Sequence, residues 1–241
     1  MLSVVLARRD WREYDQLITL YTRETGRRQT VARGVKKITS KNATHLDVPG
    51  IVEADILPGK EVDYLLAVQP VDSFIRLAGD WRRLCVWNFA RRLVEQLVRE
   101  SAEDHALFEL LVSFGVYLNT AEQILLSAAD SFTLKLLARL GFSPELENCA
   151  ACGGKLVGER LVFVPSLGGL AHWGCLPANT GTPLGSIPFS EAQAQQLREL
   201  LTHSWAKCVA RSHCPEVRQA ISSFLAYHSE KKNILFQWPT E

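Results

Sequence analysis

The stretch QLITLYTRETGRRQTVARGVKK, residues 16–37, decides the fold of the amino-terminal part of the chain. It contains two runs rich in β-branched and aromatic residues, QLITLYT (16–22) and RRQTVARGV (27–35), which favour β-strands. Between them Glu24, Thr25 and Gly26 have the composition of a tight turn, because glycine tolerates backbone conformations that other residues avoid. The stretch therefore predicts a β-hairpin that leads into a segment of concentrated positive charge.

Similar runs flank this hairpin. SVVLARR (3–9) precedes it, and DVPGIVEADIL (47–57) and EVDYLLAVQPV (61–71), joined by a PGK turn, follow it. Five short strands in so short a segment predict a small closed barrel, and five is the strand number of the OB-fold. Periodicity alone does not distinguish this fold from an SH3-like barrel.

From Trp81 the hydrophobic period becomes helical. Three apolar helices are predicted over WRRLCVWNFARRLVEQLVRE (81–100), HALFELLVSFGVYLN (105–119) and AEQILLSAADSFTLKLLARL (121–140), and Gly141 ends the last of them. Residues 177–188 have the composition of a linker. Ser190 then begins a capping box, SEAQ, and a final helix is predicted from about Pro215.

Four potential metal ligands form the strongest local motif. Cys149 and Cys152 lie in CAACGG, and His172 and Cys175 lie in HWGC, so the spacing is C-x2-C-x19-H-x2-C. Two such knuckles suit one tetrahedral zinc ion, and four protein ligands leave no position for water, so the zinc would be structural. A redox CxxC is the alternative, but the thioredoxin-like context is not visible. Four unconnected side chains are a further alternative.

The other cysteines favour no second site. Cys208, His213 and Cys214 have a spacing that fits no usual metal site, and Cys85 lies on an apolar helix face, where a core position is expected. Together the motifs predict an α+β multidomain protein: an N-terminal five-stranded OB-fold barrel, then an α-helical bundle with an inserted zinc-knuckle module. The predicted domains are an OB-fold DNA-binding domain (1–78), an α-helical domain (79–145 with 188–241) and a zinc-binding module (146–180).

The composition is that of a folded protein without a membrane span. The chain is 47% hydrophobic and 22% charged, which argues against disorder. No apolar run reaches the ~20 residues that cross a bilayer, and no secretory signal is expected. Six cysteines without a disulfide framework suit a reducing compartment, so a cytoplasmic protein is expected.

The net charge of +1 conceals a strong asymmetry. The first 45 residues carry ten positive and four negative charges, whereas residues 46–145 carry nine positive and fifteen negative ones. A basic barrel with an unstructured basic loop suits a polyanion, because arginine and lysine contact phosphates without reading bases. The residues predicted to bind DNA are Arg8, Arg9, Arg12, Arg27, Arg28, Arg33, Lys36, Lys37 and Lys41.

Three aromatic residues are interleaved with these charges. Trp11, Tyr14 and Tyr21 are candidates for stacking on bases. The alternative is that the arginines are solvated charges at strand edges and that the two tyrosines belong to the core. Catalysis finds no support, because no P-loop, GxSxG, HExxH or paired-carboxylate motif is present, and the protein is not expected to be an enzyme.

At this point the chain resembles the bacterial RecO family of recombination mediators. The stretch EYDQLITLYTRETGRRQTVARGVKK (13–37) is similar to that family's amino-terminal signature, LLARLGFSPELENCAACGG (136–154) to its middle segment, and VRQAISSFLAYHSEKK (217–232) to its last helix. The matched signature residues are Tyr14, Asp15, Leu17, Ile18, Gly26, Ala32, Arg33, Gly34, Lys36, Lys37 and Ser40.

The resemblance implies a function in DNA repair. It implies binding of single- and double-stranded DNA, annealing of complementary strands, and loading of RecA, together with RecR, onto DNA coated by single-strand binding protein (SSB), whose C-terminal tail is an implied partner. Two features depart from the family: His172 replaces a cysteine, and NILFQWP (233–239) replaces a more polar ending. The alternative function is that of a generic zinc-containing OB-fold RNA-binding protein without mediator activity.

Overall fold

The structure is a computed structural model that describes residues 1–124, 126–156, 160–176, 183–208 and 214–229. The chain forms two compact units, of which the first is Met1–Glu122 and the second begins at Gln123. The predicted linker lies partly, and the NILFQWP ending wholly, outside the described residues. In the described part of the chain, no helix combines the length and apolarity that a bilayer crossing requires.

A closed five-stranded barrel opens the first unit and confirms the predicted OB-type fold. Its strands are β1 (Leu2–Asp10), β2 (Gln16–Thr22), β3 (Gly26–Ala32), β4 (Gly50–Leu57) and β5 (Asp63–Ser73). They close in the order β1-β2-β3-β5-β4, with every neighbouring pair antiparallel except β3 and β5. In β4 alternate residues face inward, since Val52 and Ala54 are buried while Glu53 and Asp55 are exposed.

The predicted turn between β2 and β3 is confirmed, and its geometry requires glycine. Gly26 has φ +71°, in the left-handed region, and a Cβ there would lie 2.1 Å from the carbonyl oxygen of Ala102. The segment around Ala102 packs against the start of β3, since the backbone N–H of Ser101 donates to the Arg27 carbonyl at 2.9 Å. Gly26 therefore allows both the turn and the close approach of the Ala102 backbone to β3.

The segment between β3 and β4 is more ordered than the sequence predicted. Residues 33–39 form consecutive turns and bends, and a short helix, α1, spans Asn42–Asp47. The basic loop therefore consists of turns and not of unstructured backbone, and the helix that follows it, whose Leu46 is buried in the barrel core, was not predicted. The Asn42 side chain also bonds the backbone of β5, donating to the Leu66 carbonyl and accepting from the Val68 N–H, both at 3.2 Å.

Three helices complete the first unit: α2 (Ile75–Ala78), α3 (Trp81–Leu97) and α4 (His105–Thr120). Asp80 caps α3 by accepting from the backbone N–H groups of Arg82 and Arg83. Gly115 lets α4 approach Phe74, since a Cβ there would lie 2.4 Å from the Phe74 ring. The long helices therefore pack in the same compact unit as the barrel.

The second unit combines helices with a small sheet. Its elements are α5 (Leu126–Arg139), β6 (Leu161–Val164), β7 (Gly169–His172), β8 (Ile187–Phe189), α6 (Glu191–Thr202), α7 (Trp205–Cys208) and α8 (Pro215–His228). The sheet order is β7-β6-β8, with antiparallel pairing. Phe163 of β6 packs edge-on against Phe224 of α8 at 5.8 Å between ring centroids. The capping box at Ser190 and Gln193 is confirmed.

These units divide the helices differently from the predicted domains. Helices α3 and α4, predicted to belong to a helical domain with the last helices, cluster with the barrel. The predicted domain boundaries themselves stay predictions.

Candidate nucleic-acid interface and metal centre

The turn between β1 and β2 and the basic segment after β3 lie side by side. The backbone N–H of Lys36 donates to the Tyr14 carbonyl at 3.0 Å, and that of Gly34 donates to the Asp15 carboxylate at 2.8 Å. Gly34 has φ +62°, which favours glycine. We call this region the hairpin–loop surface; its functional side chains are those of Trp11, Arg12, Tyr14, Arg33, Lys36 and Lys37.

Two of the three candidate stacking residues are accessible on this surface. Trp11 is 50% exposed and Tyr14 is 48% exposed. The ammonium group of Lys37 lies 5.5 Å from the centroid of the Tyr14 ring, and the Arg33 guanidinium lies 4.3 Å from that of Tyr64. Cations and aromatic faces are thus interleaved, as in surfaces that hold single strands.

Tyr21 does not belong to this surface. Its side chain is fully buried, and its hydroxyl donates to the Asp104 carbonyl at 3.4 Å. The prediction that Tyr21 stacks on bases is therefore wrong, because strand β2 turns this ring away from solvent. Tyr14 precedes β2 in the exposed turn, whereas Tyr21 lies within β2, whose residues from Ile18 to Thr22 are all buried.

Carboxylates neutralise four of the nine basic residues predicted to bind DNA. The ion pairs are Arg8–Asp47, Arg9–Glu95, Arg28–Asp63 and Lys36–Asp10. Hydrogen bonds from Gln16 and from Lys36 lower the pKa of Asp10, so this carboxylate stays charged. Burial lowers the pKa of Arg8 against the opposing effect of Asp10. Of these pairs, Arg28–Asp63 joins β3 to β5, whereas the other three join β1 to α1, to α3 or to the basic segment after β3.

The remaining basic residues differ in accessibility. Arg27 is half-buried, and its Nε has no hydrogen-bond partner among the described residues. Arg12, Arg33, Lys37 and Lys41 are exposed and form no ion pair within the described part of the chain. These four are the cations that can neutralise phosphates without first giving up a carboxylate.

The four predicted metal ligands converge in the second unit. One ligand atom from each of Cys149, Cys152, His172 and Cys175 lies within 4.8 Å of the other three. This is the one such cluster of histidine, cysteine or carboxylate groups among the described residues. The Sγ atoms of Cys152 and Cys175 are each 3.7 Å from Nδ1 of His172. The cluster has the donor set of a Cys3His metal site.

The backbone around the cluster builds two turns that present these ligands. The Cys149 N–H donates to the Gly154 carbonyl at 2.6 Å, and the Gly153 N–H donates to the Cys149 carbonyl at 2.8 Å, which closes the first knuckle. The second knuckle follows β7, whose last residue is His172. Cys149 and His172 are buried, whereas the other two ligands are exposed.

A backbone contact fixes the imidazole in the form that binds metal. Nε2 of His172 lies 3.1 Å from the Lys155 carbonyl oxygen, so that this nitrogen carries the proton and donates. Nδ1 then turns its lone pair toward the thiols. Such a bond to the second ring nitrogen is the usual way in which a metal-binding histidine is oriented. The one ligand that departs from the family pattern is therefore placed for coordination.

The thiols differ in their affinity for protons. Burial would raise the pKa of Cys149, but hydrogen bonds from the backbone N–H groups of His172, Cys152 and Ala151 lower it to about 6. Contact with the Cys152 sulfur, together with burial and the neighbouring negative charge, raises the pKa of Cys175 to about 11. Three thiols crowded together repel one another as thiolates, and a cation at their centre would relieve that repulsion.

Among the described residues no second cluster of potential metal ligands forms, and the Cys208 side chain is not among them. His213 lies outside the described residues, and Cys214 donates to a Glu216 carboxylate oxygen at 3.1 Å. Cys85 is half-buried on α3. The contacts that sequence reasoning missed are the carboxylates Asp47, Asp63 and Glu95, each distant in sequence from its arginine and visible only in the fold.

Comparison with known proteins assigns both halves of the chain to one family. The family model for the recombination protein O N terminal domain matches residues 3–74, and that for its C terminal domain matches residues 78–234. A DNA repair protein RecO from a Roseiflexus species is 32% identical over 198 residues, covering 82% of this chain and 68% of that protein. The proteins of the same name from Pelotomaculum thermopropionicum and Symbiobacterium thermophilum are 31% and 28% identical, each covering 95% of this chain and 88% and 92% of their own length.

Proposed function

The chain belongs to the RecO family, which has a role in DNA repair and recombination, and we propose that it is a DNA-binding recombination mediator. In this role it binds single- and double-stranded DNA, anneals complementary strands and, with RecR, helps RecA replace SSB on single strands. It performs no bond chemistry. The observation that carries the proposal is the hairpin–loop surface, where exposed cations without carboxylate partners adjoin two exposed aromatic rings.

The physical basis of annealing is charge neutralisation. Two strands repel each other through their phosphates, and cations held on a rigid barrel lower that repulsion while they release counterions. Arg12, Arg33 and Lys37 supply the charge, and Trp11 and Tyr14 offer faces on which bases of any identity stack. Binding should therefore be tolerant of sequence and sensitive to salt, which suits a protein that must act on any broken DNA.

The partners follow from the family. We propose RecR and the C-terminal tail of SSB as protein partners, and a cytoplasmic, nucleoid-associated location, which suits the free thiols of the described cysteines. The support for these partners is membership of the family, and no particular groove of the described residues is assigned to either one.

We further propose that the Cys3His cluster holds a structural zinc ion. Three sulfur atoms and one oriented imidazole nitrogen match the ligands that zinc prefers, and four protein ligands leave no open position for a substrate. When bound, zinc would cross-link the two knuckles and stabilise the second unit. It would take no part in a reaction.

A matched pair of charge reversals tests the DNA-binding proposal. Lys37→Glu alters the hairpin–loop surface, and Lys207→Glu alters an exposed lysine in the second unit by the same charge. Fluorescence anisotropy with labelled oligo-dT, measured across a range of salt, should show weaker binding for Lys37→Glu and native binding for Lys207→Glu. Equal weakening in both variants would mean that net charge, and not this surface, attracts DNA.

A further inference from the structure

The second unit exposes an aromatic ring with a cation beside it. Trp173 directly follows the ligand His172 and is 36% exposed. The guanidinium carbon of Arg160 lies 4.8 Å from the centroid of the indole ring, and the Trp173 N–H donates to the Arg160 carbonyl at 2.7 Å. The ring and the cation are therefore held together by the backbone as well as by their own contact.

A second cation lies close to this pair along the folded chain. Lys155 is exposed, and its carbonyl accepts the hydrogen bond from His172 that orients the imidazole. Two carboxylates of the segment that pairs with Lys155 through Asn148 are already engaged: Glu147 lies 3.5 Å from an Arg198 nitrogen, and Glu145 accepts two backbone N–H groups at 2.9 and 2.8 Å. Within the described residues, Lys155 and Arg160 form no ion pair.

We propose that Trp173, Arg160 and Lys155 form a second binding surface for single-stranded DNA, separate from the hairpin–loop surface. A base stacks on the exposed indole and guanidinium, which are both planar, and Lys155 contacts a phosphate. An acidic peptide would use the two cations but would leave the indole face without a stacking partner, whereas a nucleotide uses both. The inference rests on the proposed function and deepens it, because annealing requires two strands on one protein.

The test uses a chain whose first surface is disabled. In a background of Arg12→Glu, Arg33→Glu and Lys37→Glu, the residual affinity for oligo-dT reports on other surfaces. Adding Trp173→Ala should lower that residual affinity by about 5- to 150-fold, the range expected for loss of one base–aromatic stack. Trp173→Phe should keep most of the affinity, because a phenyl ring still stacks. An unchanged affinity in Trp173→Ala, or an equal loss in Trp173→Phe, would overturn the proposal.

Controls separate binding from folding. Tyr227 is a 56% exposed aromatic residue of the same unit, and Tyr227→Ala should leave the residual affinity unchanged. Bound zinc and melting temperature report whether each variant is folded. If Trp173→Ala loses its metal, Arg160→Glu and Lys155→Glu are tested in its place. An unchanged residual affinity for oligo-dT in both of these variants would also overturn the proposal.

Photochemical cross-linking distinguishes DNA contact at Trp173 from DNA binding by the hairpin–loop surface. Oligo-dT containing 5-iodouracil is irradiated with the otherwise native chain, and the cross-linked peptides are identified by mass spectrometry. Cross-links at Trp173 support the second surface, and their absence contradicts it. Failure of the proposed function would appear differently, as undiminished DNA binding when the hairpin–loop charges are reversed. Cross-linking of an acidic peptide, but not DNA, at Trp173 would assign the surface to a protein partner.

Discussion

Neutralising four exposed cations, one in the turn between β1 and β2 and three in the segment after β3, should change the salt dependence of DNA binding by a predictable amount. Arg12, Arg33, Lys37 and Lys41 are exposed and form no ion pair with described residues, so each is available to one phosphate. For single strands, each phosphate contact contributes about 0.7 to the slope of log affinity against log salt. Replacing all four with glutamine should therefore reduce that slope by about 2.8, if each contacts DNA.

This reduction has a large effect on affinity. Between 50 and 200 mM salt, the native protein should lose about 50-fold more affinity than the variant, from the same slope of about 0.7 per contact. The assay is fluorescence anisotropy with oligo-dT at five or more salt concentrations. An equal-charge control replaces four exposed cations outside the surface, Lys60, Arg76, Arg92 and Lys207, with glutamine. A native slope in the test variant, or an equal reduction in the control, would refute the reasoning.

Three further predictions concern stability and metal binding. The native chain should bind one zinc ion by elemental analysis; His172→Cys should keep it and His172→Ala should bind it more weakly, and one metal per chain in His172→Ala at native affinity would contradict the Cys3His assignment. Asp80→Ala should lower the free energy of unfolding by about 0.5–2 kcal/mol, from loss of a helix cap. Burial alone would raise the pKa of Asp80, but the hydrogen bonds that it accepts from Arg83 and Arg82 lower the pKa in the folded state. The stabilisation by the charged carboxylate is therefore complete above the unfolded-state pKa of about 4, and it is lost as the pH falls through the folded-state pKa. A difference between native and Asp80→Ala that does not shrink as the pH is lowered below about 4 in denaturant titrations would contradict this account. Gly26→Ala should destabilise the protein by more than the ~1–2 kcal/mol cost of a left-handed residue, because its Cβ would strike Ala102. Gly141→Ala, with φ +91° and no atom within 4 Å of its Cβ position, should show the conformational cost alone, and equal losses in both variants would contradict the predicted clash.

The barrel was predictable because local signals agree with the global fold. The alternation in β4 and the Gly26 turn act through near neighbours, so the sequence shows them directly. The helix α1 was not predicted because it is stabilised by the burial of Leu46 in the barrel core, among residues distant in sequence. The same limit applies to the grouping of α3 and α4 with the barrel, which depends on contacts between residues distant in sequence.

The two candidate sites differ in how far the sequence determines them. The Cys3His cluster was predictable because two residues between ligands form a recognisable knuckle, and the pairing of β6 with β7 brings the two knuckles together, with their ligand atoms within 4.8 Å of one another. The basic surface was predictable in composition but not in detail. Whether an arginine is free or paired depends on a distant carboxylate, as for Arg28 with Asp63 and Arg9 with Glu95. Whether a tyrosine stacks depends on which way its strand faces, as Tyr21 illustrates.

The most direct test of the mediator function is the annealing of two complementary strands that SSB has already coated. The rate is measured by the loss of fluorescence from a dye on one strand as a quencher on the other approaches it. The native chain should accelerate annealing, and the variant with Arg12, Arg33, Lys37 and Lys41 changed to glutamine should lose most of that acceleration, while the equal-charge control keeps it. If the native chain binds bare strands and RNA equally well but leaves the annealing of SSB-coated strands at its spontaneous rate, the protein is a general nucleic-acid binder and the mediator account is wrong.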